Sequence, residues 1–340
     1  VNRELAKKVA DAVLYEGYML YPYRASALKN RQRWSFGILH PPAYSEVALG
    51  TERAHMHSEV LMRGAGHASV TVQLRFLHLR RRQLFALKNG ERTPVESLNT
   101  YGSVIESCEA GDERLADLEM QVVDDHSCKD EFSFPAEARC ERIDYTGDEV
   151  LGEIEESQEG VSGTLQMSCT RIGADKFKLA IHVENVSTLP PDVTTRDDAL
   201  LRSLLSAHLI LTIERGEFVS LLDPPNELQD AVRGCSNVGN FPVLVGNEGE
   251  RDMMLCSPIL LYDYPQIAPE SAGDFFDSTE MDEMLTLRVM TLTDAEKDDV
   301  RAGDARARAL LERTEQTVRE QLQRTHGVIR SLRPLGGGDE

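Results

Sequence analysis

The sequence predicts an α+β chain with a predominantly antiparallel, β-sandwich-like or open-barrel core, an N-terminal helix and C-terminal helices. Three observations predict it. Segments at 67–79, 176–186 and 209–213 alternate apolar and polar residues with a period of two, as half-buried strands do. No regular strand–helix repeat occurs and no glycine fingerprint follows a strand, so a doubly wound sheet is disfavoured. Toward the C-terminus, Ala307, Leu311, Thr314, Val318, Leu322, Thr325, Ile329 and Leu332 recur every three or four residues among charges. The expected division is a β-rich main domain at 1–275, including the N-terminal helix, and a helical region at 276–335.

Leu5, Val9, Ala12 and Val13 share one side of a helix over 3–16. Pro22 then rules out simple helical continuation, and the chain from Trp34 to Leu39 reads as a strand start. In the strand at 67–79, Val70, Val72, Leu74 and Phe76 face one way, while Ser69, Thr71, Gln73 and Arg75 face the other. Arg80, Arg81 and Arg82 then read as an edge or turn patch at the strand's end. The acidic stretch 144–160 reads as a solvated loop or edge insertion. Leu165, Met167 and Cys169 suggest a hairpin partner for 176–186, turning near Gly173, Ala174 and Asp175. A helix is expected at 197–206, then a strand through Leu209, Leu211 and Ile213. A short helix at 279–290 and another from about 294 close the series. The last of these is amphipathic and needs a surface to pack on, in this chain, a partner or a second copy.

Composition narrows function more by exclusion. At 340 residues the chain can bury a sizeable core. No apolar run approaches the roughly 18 residues of a membrane span. The N-terminal segment carries charges within its apolar periodicity and lacks a small-residue cleavage site, which argues against a signal peptide and for the cytoplasm. The six cysteines form no CxxC pair and read as free thiols. The net charge of −20 is uneven: residues 1–100 carry 15 Lys/Arg against 8 Asp/Glu, and the remainder 22 against 49. Such a field repels nucleic acid from most of the chain, and it also fits an internal contact between a basic part and an acidic one. P-loop, GxSxG, HExxH and kinase signatures are missing, which disfavours common enzyme classes.

Three groups of residues remain as candidates. His55, His57 and Glu59 point to one face if their segment is a strand, where they could chelate a metal with one further ligand; in a helix the histidines diverge. Tyr21, Tyr23, Arg24, Asn30, Arg31 and Trp34 combine aromatic and basic side chains, which suits a partner or ligand contact, or an amphipathic rim with Trp34 in the core. The third group lies in the mixed run 251–288. Glu280, Asp282 and Glu283 fit the first turn of a helix, where carboxylates are favoured. That explanation does not reach Asp263, set between two tyrosines, or Glu270 in a Pro-Glu-Ser turn. With Asp274, they are candidates for a hydrogen-bond network, a metal contact or a partner contact. No cofactor is identified.

The LYPYR motif at 20–24, Asn30-Arg31, Trp34, LLDPP at 221–225, PVLVG at 242–246 and the run 251–288 together resemble an uncharacterised family encoded beside uptake nickel–iron hydrogenase genes in actinobacteria and related bacteria. The resemblance covers most of the chain. It implies a non-catalytic accessory or assembly role through protein–protein contacts with a hydrogenase-related protein, and it supplies no catalytic residues. The alternative expectation is a metal-dependent enzyme using the acidic segment 251–283 and His55/His57. A homo-oligomer is a further expected form.

Overall fold

The computed structural model describes residues 2–15, 35–88, 91–100, 103–122, 124–144 and 150–266. Helix α1 (Asn2–Tyr15) and the short α2 (Pro42–Val47) precede β1 (His55–Lys88), β2 (Glu91–Val95), β3 (Ser97–Thr100), β4 (Ser103–Glu106) and β5 (Cys108–Gln121). Strands β6 (His126–Phe134), β7 (Glu137–Asp144), β8 (Val150–Gln158), β9 (Val161–Arg171) and β10 (Lys176–Asn185) follow. Helix α3 (Arg196–Leu200), strand β11 (Leu205–Phe218), helix α4 (Gln229–Arg233) and strands β12 (Phe241–Leu244) and β13 (Met253–Ser257) complete the described elements.

The α+β class holds, with an N-terminal helix and a large antiparallel sheet in an open half-barrel. The expected C-terminal helices and the domain boundary near 275 lie outside the described residues. Strand β1 is the spine of an 11-stranded sheet ordered β12-β13-β11-β1-β10-β9-β6, with β2, β5 and β8 also paired to β1 and β7 to β8. One strand can serve so many neighbours because it is 34 residues long and shifts register twice against β11, between Gly64 and Ser69 and between Arg75 and Leu77. Such irregularities raise local twist and bend the strand. Its first part pairs with β10, its middle lies between β11 and β5, and its end pairs with β8 and β2.

The coil places Val60, Val70, Val72, Leu74 and Phe76 inside, against Leu165, Leu179, Ile181, Leu209 and Leu211. The other face of β11, β12 and β13 is covered by α1, whose Ala6, Val9, Ala10 and Val13 pack on Ile210, Val243, Val245 and Leu255. Of the side that the spacing at 3–16 predicts, Val9 and Val13 are buried there, whereas Leu5 is 38% exposed and Ala12 half-buried, because Ala6 and Ala10 take the places against the sheet. The hairpin β9–β10 also matches expectation, turning through residues 172–175.

Three local readings are corrected. The expected strand at 67–79 is the middle of β1, so Arg80, Arg81 and Arg82 lie within a continuous strand. Most of the stretch read as an acidic loop is β8, paired on both edges, to β1 and β7. Its weak apolar period hid the strand because its carboxylates are matched by arginine across the sheet. Arg82 meets Glu156 at 2.8 Å, Arg92 meets Glu153 at 3.1 Å, and Arg80 and Arg81 meet Asp112 and Glu109 of β5. The basic first hundred residues and the acidic remainder thus meet inside one sheet, each exposed pair worth roughly 0–1 kcal/mol. Finally, the helix expected at 197–206 stops at Leu200, and its Ser206 has φ 50° before β11 straightens.

Candidate functional site

Asp263 is where the structure joins three of the sequence motifs. Its Oδ1 accepts a 2.8 Å hydrogen bond from the Leu244 N–H in β12, and its Oδ2 accepts one of 2.5 Å from the Ser220 hydroxyl. The same Ser220 oxygen accepts from the backbone N–H groups of Leu222 and Asp223, at 3.1 and 2.9 Å. One carboxylate therefore pins the LLDPP turn to the PVLVG strand. The next residue strengthens the junction: the Tyr264 N–H donates to the Leu244 carbonyl at 2.7 Å, and its hydroxyl donates to the Glu250 carbonyl at 2.9 Å. Tyr264 adopts φ 56°, an uncommon conformation for a bulky residue and one that this pair of contacts holds. The returning chain also caps the edge of β12, which Pro242 leaves short of one donor.

Around this rigid junction stand large apolar side chains in solvent. Leu222 is 56% exposed, Leu260 76% and Tyr262 86%, and each lies within a few residues of the Ser220–Asp263 bond. The exposed carboxylate of Asp223 and the Glu250 segment border them. Of the alternatives the sequence left open for Asp263, the hydrogen-bond network is the one observed. Replacing Asp263 by Ala should lower stability by about 2 kcal/mol, because charged hydrogen bonds are lost and the Leu244 N–H is orphaned. Urea denaturation measures this, and a change below about 0.5 kcal/mol would show that the junction is not held by the carboxylate.

The predicted histidine set lies elsewhere, on the outer face of β1. The segment is a strand, so His55, His57 and Glu59 do share a face. Sequence spacing did not reveal the third imidazole, His182 of β10, which is the register partner of His57. Ring centroids lie 5.3 Å apart for His55 and His182, and 6.0 Å for His57 and His182. Burial lowers the His182 pKa, and His55 and His57 push the same way. Glu59 is already engaged: Oε1 takes the Lys178 ammonium at 3.0 Å and Oε2 the Ser236 N–H at 2.8 Å. Burial acts to raise its pKa, but these two donors outweigh it and hold the carboxyl below its ordinary value. Among the described residues no group of three or more His, Cys, Asp and Glu side chains is arranged to hold a metal ion.

The Ser236–Asn240 segment, which sequence reading did not single out, clamps this edge of β1. His57 and Val238 exchange backbone hydrogen bonds, Asn237 bonds the Glu59 backbone, and Asn240 reaches both Ser58 and the His57 carbonyl. Two asparagines among serine, glycine and valine are the signal in sequence, since their amides mimic a backbone pair. The remaining candidates, Tyr21, Tyr23, Arg24, Asn30, Arg31, Trp34, Glu270 and Asp274, lie outside the described residues.

No protein-family model and no curated protein matches the chain. Among solved structures it is similar to the Salmonella SPI-1 type III secretion injectisome secretin InvG. The open-gate form, spanning residue 176 to its end, matches at 14% identity over 60% of this chain and 51% of that one, with a TM-score of 0.15. The secretin β-barrel domain from the same injectisome matches at 12% identity over 50% and 48%, TM-score 0.13, and a near-atomic cryo-EM structure of the secretin at 13% over 82% and 78%, TM-score 0.14. The chain thus spans about half the length of the first two matched chains. At these TM-scores the likeness assigns neither fold nor function. Among the described residues, no helix is long and apolar enough to cross a membrane.

Proposed function

We propose that the chain is a non-catalytic accessory protein of the cytoplasm that binds a hydrogenase-related partner through the surface around Asp263. One observation carries this reading: LLDPP, PVLVG and the start of the 251–288 run, motifs that bear the family resemblance, converge on a single carboxylate. Convergent hydrogen bonds fix the backbone there while leaving Leu222, Leu260 and Tyr262 in water. Exposed apolar and aromatic side chains on a fixed backbone suit binding, because little backbone freedom is lost on docking. The exposed carboxylate of Asp223, next to Leu222, favours a partner whose apolar patch carries Lys or Arg at its rim.

Affinity purification of tagged chain from cells expressing the hydrogenase genes, followed by mass spectrometry, tests the reading. A hydrogenase-related protein should be recovered, and the double variant Leu260→Asp with Tyr262→Asp should weaken its binding about a hundredfold. Both side chains are exposed, so the variant's stability should stay within about 0.5 kcal/mol of the parent. Recovery of the chain alone, or equal recovery by the variant, would refute the proposal.

A further inference from the structure

Strand β7 is the outermost strand of an arm formed by β7, β8, the end of β1 and β2, and among the described residues only β8 pairs with it. Residues 137–142 are all exposed, so β7 meets solvent on both faces as well as along its outer edge. The hydrogen-bonding direction along β7 follows from β1. The Leu84 N–H turns toward Ser107, on the β2 side, so the backbone groups of Gln83 and Phe85 serve β8. Alternation across β8 then points the backbone groups of Arg139 and Glu141 at β8, and those of Ala138, Cys140 and Arg142 at the open edge. An open edge of this length is a template for another strand, and proteins ordinarily blunt it with charge.

Here the charges along the edge are self-complementary. Two facing residues of an antiparallel pair share one hydrogen-bonding direction, so a two-fold axis between two copies of β7 must pass through a residue. An axis at Cys140 sets Arg139 opposite Glu141 of the second copy twice over, Ala138 opposite Arg142, and Glu137 opposite Ile143. No like charges face each other in this register. An axis at Arg139, Glu141 or Arg142 would oppose that charge to itself, and one at Ala138 would bring Pro135 into the pairing. Arg139 and Glu141 share one face of β7, 3.3 Å apart, and at 75% and 61% exposure they can exchange partners across the axis. We infer that β7 is a homotypic edge: two copies of the chain pair antiparallel about Cys140, joining their sheets through about six backbone hydrogen bonds. The inference does not rest on the partner surface at Asp263.

Sedimentation velocity of the full chain across a concentration series tests it, with a reversible dimer expected. Arg139→Glu and Glu141→Arg each set like charges opposite one another at two symmetric places, so each should weaken the dimer at least about tenfold. The combined variant makes the facing charges opposite again and should restore the dimer to within about threefold of the parent. Cys140 is an exposed free thiol, and the pairing places the two copies' Cys140 α-carbons about 5.5 Å apart. A short bismaleimide should therefore join two copies of the chain, and Cys140→Ser should abolish that adduct. A chain that stays monomeric, a dimer that neither single variant weakens, failure of the combined variant to restore it, or cross-linking unchanged by Cys140→Ser would overturn the inference.

Discussion

Lowering the pH from 7 to 5 should destabilise the chain by on the order of 5 kcal/mol, a large share of the 5–15 kcal/mol by which folded domains are stable. The cause is three imidazoles buried in the neutral form: His40, His78 and His208, all 0% exposed. Burial depresses the His208 pKa from 6.5 to about 3, with the Arg75 charge acting in the same direction. His40 and His78 are lowered to about 4, again chiefly by burial. In His40 the Glu52 carboxylate, 3.3 Å away, opposes the shift without cancelling it. In the unfolded chain these groups take up protons as the pH falls through 6.5, whereas in the folded chain they stay neutral until about 4. Their stabilisation is therefore complete above the unfolded value and is lost below it, at roughly 1.4 kcal/mol per pH unit for each histidine. Urea denaturation at successive pH values reads the slope directly. Constant stability between pH 7 and 5 would show that these histidines are not held neutral.

Glu113→Ala should cost about 3 kcal/mol, and more than removing the arginine it serves. The Glu113 Oε1 accepts from Arg75 Nε at 2.9 Å and from Nη2 at 2.6 Å, while Asp11 of α1 accepts from Nη2 at 2.5 Å. With Glu113 gone, a guanidinium buried beneath α1 keeps only Asp11 as a carboxylate partner. In Arg75→Met the charge itself is gone, and Asp11 and Glu113, both partly exposed, return to water at a cost of about 1 kcal/mol. The order of the two variants in chemical denaturation is the discriminating result. If Arg75→Met proves the more damaging, the triad is holding α1 mainly by its packing and hydrogen bonds.

Much of this architecture is legible in the sequence wherever one face of a strand or helix is apolar. The alternation of Val70, Val72, Leu74 and Phe76, and that of Phe177, Leu179 and Ile181, predicts inward faces that the fold places in one core. Strand β8 was hidden for the converse reason, since Glu153, Glu155 and Glu156 are balanced by arginines that sit far away in sequence. Arg75 shows the same limit at one residue. It lies on the polar side of its strand, and only the docking of α1 over that side buries it. The candidate site was partly readable: Asp263 stood out because no helix start explained its charge. Its partners Ser220 and Leu244 were not readable, because the donors that reach a carboxylate are set by tertiary contact. His182 joined His55 and His57 through the β1–β10 register, which spacing within one strand cannot supply.

The surface around Asp263 is tested most directly by a photo-crosslinking residue at position 262, with position 49 as control. Tyr262 and Leu49 are comparably exposed, at 86% and 91%, but Leu49 follows α2 and is not part of the hydrogen-bonded junction at Asp263. In cells expressing the hydrogenase genes, the residue at 262 should yield an adduct with a hydrogenase-related protein, and the residue at 49 should not. No such adduct at 262, or equal adducts at both positions, would contradict the proposal that this junction is the partner-binding surface.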